Sequence, residues 1–442
     1  MPEPWIFCMW AGCGEMRKIL GKIGSRRPVN LIVLADLFAF SLLSFYRKSF
    51  DAYMVAAALM VIVLIVAVHF LLVRLHLGDE YLFLITAMLT SLGFIMIYRL
   101  DRELGLKQII WFLVGILAFF ATCLIFMKIR GLNRFMFYYT AAALALFALT
   151  LLLGRSIKGS TNWITMAGHN FQPSELIKIL FVLALACCYG GKSHFLVYRH
   201  SITIERGSLL QKLYAMGTAY SFIGLLIIQR DWGMSTLLFL VYIGMLFIFE
   251  NDWKLYAVNG ILAAAAALGG YLLLSHIRVR VDMWLNPWDD LDGKGYQITQ
   301  SLFAIASGGF FGTGIGLGNP DMIPEVANDF IFSAICEEMG IFGGVAVILL
   351  YFILCYRGFK LALKAHNAFD RAVAAGITAM FGIQTFIIIG GVIKLIPMTG
   401  VTLPFVSYGG SSLTTSFMAL GILQAVSAGT AREEREGADG PG

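Results

Sequence analysis

Residues 53–76 read YMVAAALMVIVLIVAVHFLLVRLH, an apolar run whose one formally charged residue, Arg74, stands near its end. A helix at the surface of a soluble domain keeps a polar face for water. This run has none, and it exceeds the roughly 20 residues that cross a bilayer. Outward from it, runs of the same kind recur over 29–46, 80–98, 108–127, 134–154, 172–190, 210–228, 234–250, 254–276, 330–355, 372–394 and 404–428. The sequence therefore predicts an all-α, polytopic transmembrane helix bundle of about twelve spans. Composition agrees: 59% of the 442 residues are hydrophobic, 14% are charged, and mean hydropathy is +0.79. A soluble domain carries about 25% charged residues, so a soluble enzyme is excluded.

Lysine and arginine set the expected orientation. With the N-terminus inside, the inner segments and tails hold 20 of them and the outer loops 12, while Lys178 lies within a span. The positive-inside rule then puts both termini, 1–28 and 429–442, in the cytoplasm and the long loop 276–328 outside. The first apolar run is followed at once by others and no small-residue cleavage site, so no cleavable signal is expected. The seven cysteines have neither metal-ligand nor disulfide-framework spacing. The net charge of +6 is modest, and no nucleic-acid partner is expected.

Polar and unusual residues collect in the outer loops. Loop 155–171 reads RSIKGSTNWITMAGHNF, loop 229–233 reads QRDWG, and loop 395–403 reads LIPMTGVTL ahead of SYGG. Four such loops on one side predict one site assembled at the outer surface of the membrane. Asp329, where loop 276–328 enters the tenth span, suits either a helix N-cap or a general base at the lipid–water boundary. Glu175 and Lys178 are three apart on one helix face, which predicts an ion pair, with or without a part in the site. Glu337 and Glu338 sit two turns below Asp329; adjacent glutamates cannot share a face, so at least one should meet a polar cavity or be protonated. Asp36 in the first span is expected to be paired or neutral.

Arg278 and Arg280 leave the ninth span at the outer surface, as snorkelling anchors or as guanidinium groups for a phosphate. Asp289, Asp290 and Asp292 read as a solvated turn, with a divalent-cation site as the other reading. The glycine run from Gly308 to Gly318 lacks the Lys-Ser/Thr ending and preceding strand of a P-loop, so no nucleotide or other organic cofactor is expected. Residues 295–307 place Gln297, Gln300 and Ser301 on one side and Ile298, Leu302 and Ile305 on the other. That pattern predicts a helix lying in the outer interface.

Seven segments taken together resemble one family. They are GSTNWI (159–164), FQPSELIK (171–178), RVDMWLNPWDD (280–290), GYQITQSLFAIASGGFFGTGIGLG (295–318), PEVANDFIF (324–332), EEMG (337–340) and TLPFVSYGGSS (402–412). The chain resembles the SEDS proteins, the FtsW/RodA/SpoVE family of bacterial shape, division and sporulation. The likeness covers about residues 80–428, a ten-span core, with two extra N-terminal helices in 29–79. It implies a peptidoglycan glycosyltransferase of the cytoplasmic membrane that polymerises lipid II on the outer side. Membrane lipids and a class B penicillin-binding protein are its implied partners, and Mg²⁺ or Mn²⁺ its expected cofactor. By motif match Asp329 falls on the family's essential aspartate. Trp163, Glu175, Lys178, Asp231, Arg280, Ser407 and Tyr408 fall on its substrate-site elements; Arg278 and Gln297 join them as candidates. This sequence departs from the pattern at Asn162, usually Arg, at Arg230, usually Pro, and at Ile388, commonly Asn. A lipid II flippase and a silent scaffold that activates a partner synthase are the rival functions.

Overall fold

The computed structural model describes residues 27–46, 52–129, 131–157, 160–166, 169–190, 193–197, 200–204, 207–291 and 293–438. The predicted tail before residue 27 and the metal candidate Asp292 lie outside them. Twelve helices stand at the twelve expected spans: α1 (Arg27–Tyr46), α2 (Ala52–Arg74), α3 (Glu80–Leu100), α4 (Arg102–Lys128), α5 (Met136–Leu153), α6 (Pro173–Tyr189), α7 (Leu209–Ile228), α8 (Trp232–Phe249), α9 (Trp253–Leu273), and, after loop 276–328, α12 (Ile331–Lys364), α13 (Ala368–Val392) and α14 (Gly410–Ala438). Ten are long and apolar enough by composition to cross a membrane. Of the other two, α6 has 17 residues and α7 carries Gln211 and Lys212 in its first turn. Acidic and hydroxyl caps start several helices: Asp101 accepts from the amides of Glu103 and Leu104, and Asp231 from that of Met234.

Helices α3, α13 and α14 form the buried centre, and α5 and α9 the periphery. Small residues allow the close approaches. Gly421 of α14 lies on the backbone of Phe119 in α4, Gly93 of α3 on that of Val406, and Gly358 of α12 on Thr378 of α13. The first N-terminal helix docks on α3 through Phe40 and Phe94, 5.6 Å apart, and through buried Asp36, which accepts from the Ser91 hydroxyl at 3.0 Å. A lone carboxylate at depth is costly, and this bond gives it a partner.

Several expectations are corrected. Loop 155–171 contains an antiparallel sheet, β1 (Arg155–Ile157), β2 (Ser160–Met166) and β3 (His169–Phe171), and a hairpin, β4 (Ser193–Val197) with β5 (His200–Ile204), follows α6. The outer loop holds α10 (Ser275–Leu285), which the sequence did not suggest, and α11 (Tyr296–Gly308) at the expected 295–307. Ser301 does not share the outer face with Gln297. It faces α12, its hydroxyl 2.7 Å from that of Ser333, whereas Gln297 is exposed. The last span begins at Gly410 rather than 404, because Phe405 takes a left-handed φ of 66° and Pro404 precedes it.

Helix α12 is broken at Gly340 (φ 68°, ψ −171°). The break leaves carbonyls without helical partners, and the glycine run fills them. Thr313 N donates to Glu337 O (2.9 Å), Gly314 N to Glu338 O (3.0 Å), and Ile341 N to Gly309 O (2.9 Å). The two glutamates therefore do not line a polar path. Glu337 accepts from Asn319 N (2.7 Å); Glu338 accepts from Gly316 N (3.0 Å) and pairs with Arg99 at 2.5 Å. A side chain at Gly340 would strike the Phe310 carbonyl and the Gly312 amide. Gly340→Ala is predicted to cost about 2–3 kcal/mol or more, read as a lowered melting temperature of the purified protein. An unchanged melting temperature would mean the break does not need glycine.

Candidate functional site

Because the spans alternate in direction, the starts of α4, α6, α8, α12 and α14 and the ends of α5, α7, α9 and α13 share one side of the bundle. There they surround a cavity of about 650 Å³. Its walls come from α4 (Lys107, Trp111), the β2–β3 region (Asn162, Trp163, Asn170), α6 (Glu175), the α7–α8 turn, α10, residues 325–329, residues 399–402 and the start of α14. Six residues singled out by the sequence meet here: Trp163, Glu175, Asp231, Arg280, Asp329 and Tyr408.

Asp329 is held by its own turn and by the segment before α14. The amides of Asn328 and Asp329 donate to Glu325 O at 3.0 and 3.1 Å. Ser407 Oγ donates to Asn328 O at 2.5 Å, and Tyr408 N to Ala327 O at 2.8 Å. Ser407 is thus a buried tie behind the site rather than part of its wall. The N-cap of α12 falls on Phe330, one residue after Asp329, which corrects the capping expectation. Arg280 of α10 is fixed from the other side, its Nη1 donating to Thr399 O (3.0 Å) and Met398 O (3.4 Å). Both groups converge on Gly400: a Cβ there would lie 3.7 Å from Asp329 Oδ2 and 3.9 Å from Arg280 Nη2.

Asp231 closes a second corner. Its Oδ1 caps α8, and its Oδ2 accepts from Asn162 Nδ2 (2.5 Å), Gln172 Nε2 (3.4 Å) and Ser174 Oγ (3.4 Å). Burial raises its carboxyl above the usual range, and these bonds oppose the rise. Two of the family departures, Asn162 and Arg230, stand beside this carboxylate; Ile388 is buried in α13.

The remaining candidates lie elsewhere. Arg278 donates to Leu272 O (2.7 Å) and Tyr271 O (3.3 Å) and stacks on the Tyr271 ring, an anchor at the end of α9. Gln297 is exposed on α11 and off the cavity wall. Asp290 accepts from Lys294 N (3.0 Å) and closes a turn; neither it nor Asp289 reaches the cavity. Among the described residues no group of three or more His, Cys, Asp or Glu is arranged to hold a metal. Trp232 and His276, neither of them a candidate from the sequence, also stand on the wall. Trp232 stood in view as the residue after Asp231; His276, at the ragged end of a span, gave no signal.

Lys178 is buried beneath the cavity. Its Nζ lies 2.6 Å from Glu175 Oε2 and donates to Gln384 Oε1 (3.1 Å), and Thr415 Oγ1 also donates to Glu175 (3.1 Å). Lys178→Met alone strands the Glu175 carboxylate and is predicted to cost about 3–5 kcal/mol. Adding Glu175→Gln should restore most of the melting temperature. A double variant as unstable as the single one would contradict the pairing.

Comparison with known proteins identifies the frame. The family model described as "Cell cycle protein" (FtsW/RodA/SpoVE) matches residues 79–432. The chain is 36% identical to the peptidoglycan glycosyltransferase RodA of Mycobacterium tuberculosis over 374 residues, covering 81% of this chain and 79% of that one. It is 33% identical to the stage V sporulation protein E of Bacillus subtilis over 367 residues, covering 79% and 96%. A solved chain from a peptidoglycan synthase complex that coordinates polymerization and crosslinking superposes with a TM-score of 0.65 at 26% identity, covering 80% of this chain and 98% of its own. This multi-pass membrane protein belongs to the FtsW/RodA/SpoVE family.

Proposed function

We propose that this chain is a peptidoglycan glycosyltransferase that polymerises lipid II at the outer face of the cytoplasmic membrane, with Asp329 as general base. The observation that carries the reading is the convergence of Asp329 and Arg280 on Gly400 within one cavity at the end of the bundle. The acceptor sugar's 4-hydroxyl gives its proton to an Asp329 oxygen as its own oxygen bonds to the donor's anomeric carbon. The bond from that carbon to the diphosphate breaks, and the electron pair leaves with the lipid diphosphate. One displacement of this kind inverts the anomeric centre and needs a base and a stabilised leaving group, not the paired carboxylates of retaining hydrolases. Arg280, tied to Thr399 O and Met398 O, supplies positive charge for the departing diphosphate.

The orientation follows the lysine and arginine count, 20 inside against 12 outside, which makes the cavity end extracytoplasmic. Mg²⁺ or Mn²⁺ suits a site where Glu325 and Asp329 share one turn, since such ions take one or two carboxylates and complete their shell with substrate phosphate oxygens. When bound it would neutralise part of the leaving charge. The relative in a synthase complex supports a partner that crosslinks the strands, a class B penicillin-binding protein. A flippase reading needs a polar track through the bundle. Here the deep charges are engaged instead, Glu175 with Lys178 and Glu338 with Arg99.

Asp329→Asn keeps the size of the side chain and removes the base. It should lower the polymerisation rate by about 100-fold or more while the melting temperature stays near that of the parent. The assay is glycan-strand formation from labelled lipid II in detergent; a fully active Asn variant would remove Asp329 from the chemistry.

A further inference from the structure

The turn between α7 and α8 holds a long side chain on a backbone that suits glycine. Asp231 N donates to Leu226 O (2.9 Å) and Arg230 N to Ile227 O (3.0 Å), the crossed pair of bonds of a Schellman motif. The residue closing such a motif is left-handed and usually glycine, because a Cβ is strained there. In this chain it is Arg230, at φ 60°. Strained positions of this kind cluster at ligand sites, and this one lies on the cavity wall.

That side chain lines the cavity, and among the described residues its guanidinium has no hydrogen-bond or ion-pair partner. On the same wall stand Arg280, Trp232 and His276, with the last two rings 6.2 Å apart. Trp232 Nε1 and His276 Nε2 are buried, and neither has a hydrogen-bond partner among the described residues. Burial and then the charges of Arg280 and Arg230 lower the His276 pKa, so both guanidiniums stand close enough to act on one imidazole. Asp231 next door is already engaged by Asn162, Gln172, Ser174 and the Met234 amide. The wall thus offers two cations and unspent nitrogen groups to an incoming acceptor.

We propose that Arg230 is a diphosphate-binding residue that clamps, with Arg280, the diphosphate of a lipid-linked sugar, while the Trp232 indole N–H completes the contact. The inference rests on the glycosyltransferase reading for the identity of the ligand, and on geometry alone for its chemical class. Non-bridging phosphate oxygens take guanidinium groups in pairs, and a buried indole N–H without an acceptor gains one.

The test is binding of farnesyl diphosphate, with farnesol as control, to the purified full-length chain in detergent. Arg230→Gly relieves the left-handed strain, so its melting temperature should equal or exceed that of the parent while affinity for farnesyl diphosphate falls about tenfold. Arg230→Gln, which keeps the bulk, should lose a similar factor, and farnesol binding should not change. With lipid II, both variants should raise KM more than they lower kcat. Unchanged farnesyl diphosphate affinity in either variant overturns the proposal. A chain that polymerises nothing yet shows the tenfold loss would overturn the enzymatic reading and leave the diphosphate site standing. A working polymerase whose affinity ignores Arg230 would overturn the site alone.

Discussion

A backbone group inside a bilayer must find its hydrogen-bond partner within the protein, and this constraint governs every place where the bundle departs from straight helices. The break at Gly340 exposes the carbonyls of Glu337 and Glu338, and the amides of Thr313 and Gly314 close it. The glycines of 308–318 are there because the loop enters the broken helix at backbone distance; Gly308 and Gly312 each lie on a carbonyl of α12. Once that loop is seated, α12 has a fixed start and the turn carrying Asp329 a fixed place. The segment before α14 completes the arrangement, with Ser407 and Tyr408 bonded to the backbone of that turn.

The cavity is therefore made of helix ends held by loops rather than of a groove between parallel spans. Its carboxylates have different surroundings, and these separate their roles. Glu175 is neutralised from below by Lys178, Asp231 is spread over donors from three elements, and Asp329 faces the same glycine as Arg280. The polar chain continues inward from Glu175 to Thr415 and from Lys178 to Gln384, whose Nε2 donates to Thr402 O (2.8 Å) on the cavity wall. In this way the floor of the site and the loop that anchors Arg280 are mechanically one unit.

Much of this architecture is legible in the sequence. The apolar runs give the spans, since their length and lack of a polar face admit few other structures, and the clustering of polar loops on one side anticipates one site. What the sequence leaves unread depends on local backbone geometry inside loops and on side-chain partners far along the chain. The strands of 155–171 are short and pair locally inside a loop of mixed polarity. The start of α14 at Gly410 follows from a left-handed Phe405 that no periodicity reveals. Helical spacing puts Ser301 beside Gln297, yet α12 offers Ser333 as a polar partner on the buried face. Arg278 and Arg280 are two residues apart and both leave the ninth span at its outer end. On a helix that spacing sends them to different faces, one to α9 carbonyls and the other to the 398–399 backbone.

The family relation, the cavity at one end of the bundle and the engagement of the deep charges together favour chemistry at the membrane surface over passage through it. The most direct test gives the purified chain, alone and without any partner, labelled lipid II in detergent and looks for products longer than one disaccharide. The account predicts glycan strands of several units, released with lipid diphosphate in step with chain growth. A well-folded protein that makes no strands, or that only moves lipid II between the leaflets of a vesicle, would contradict it.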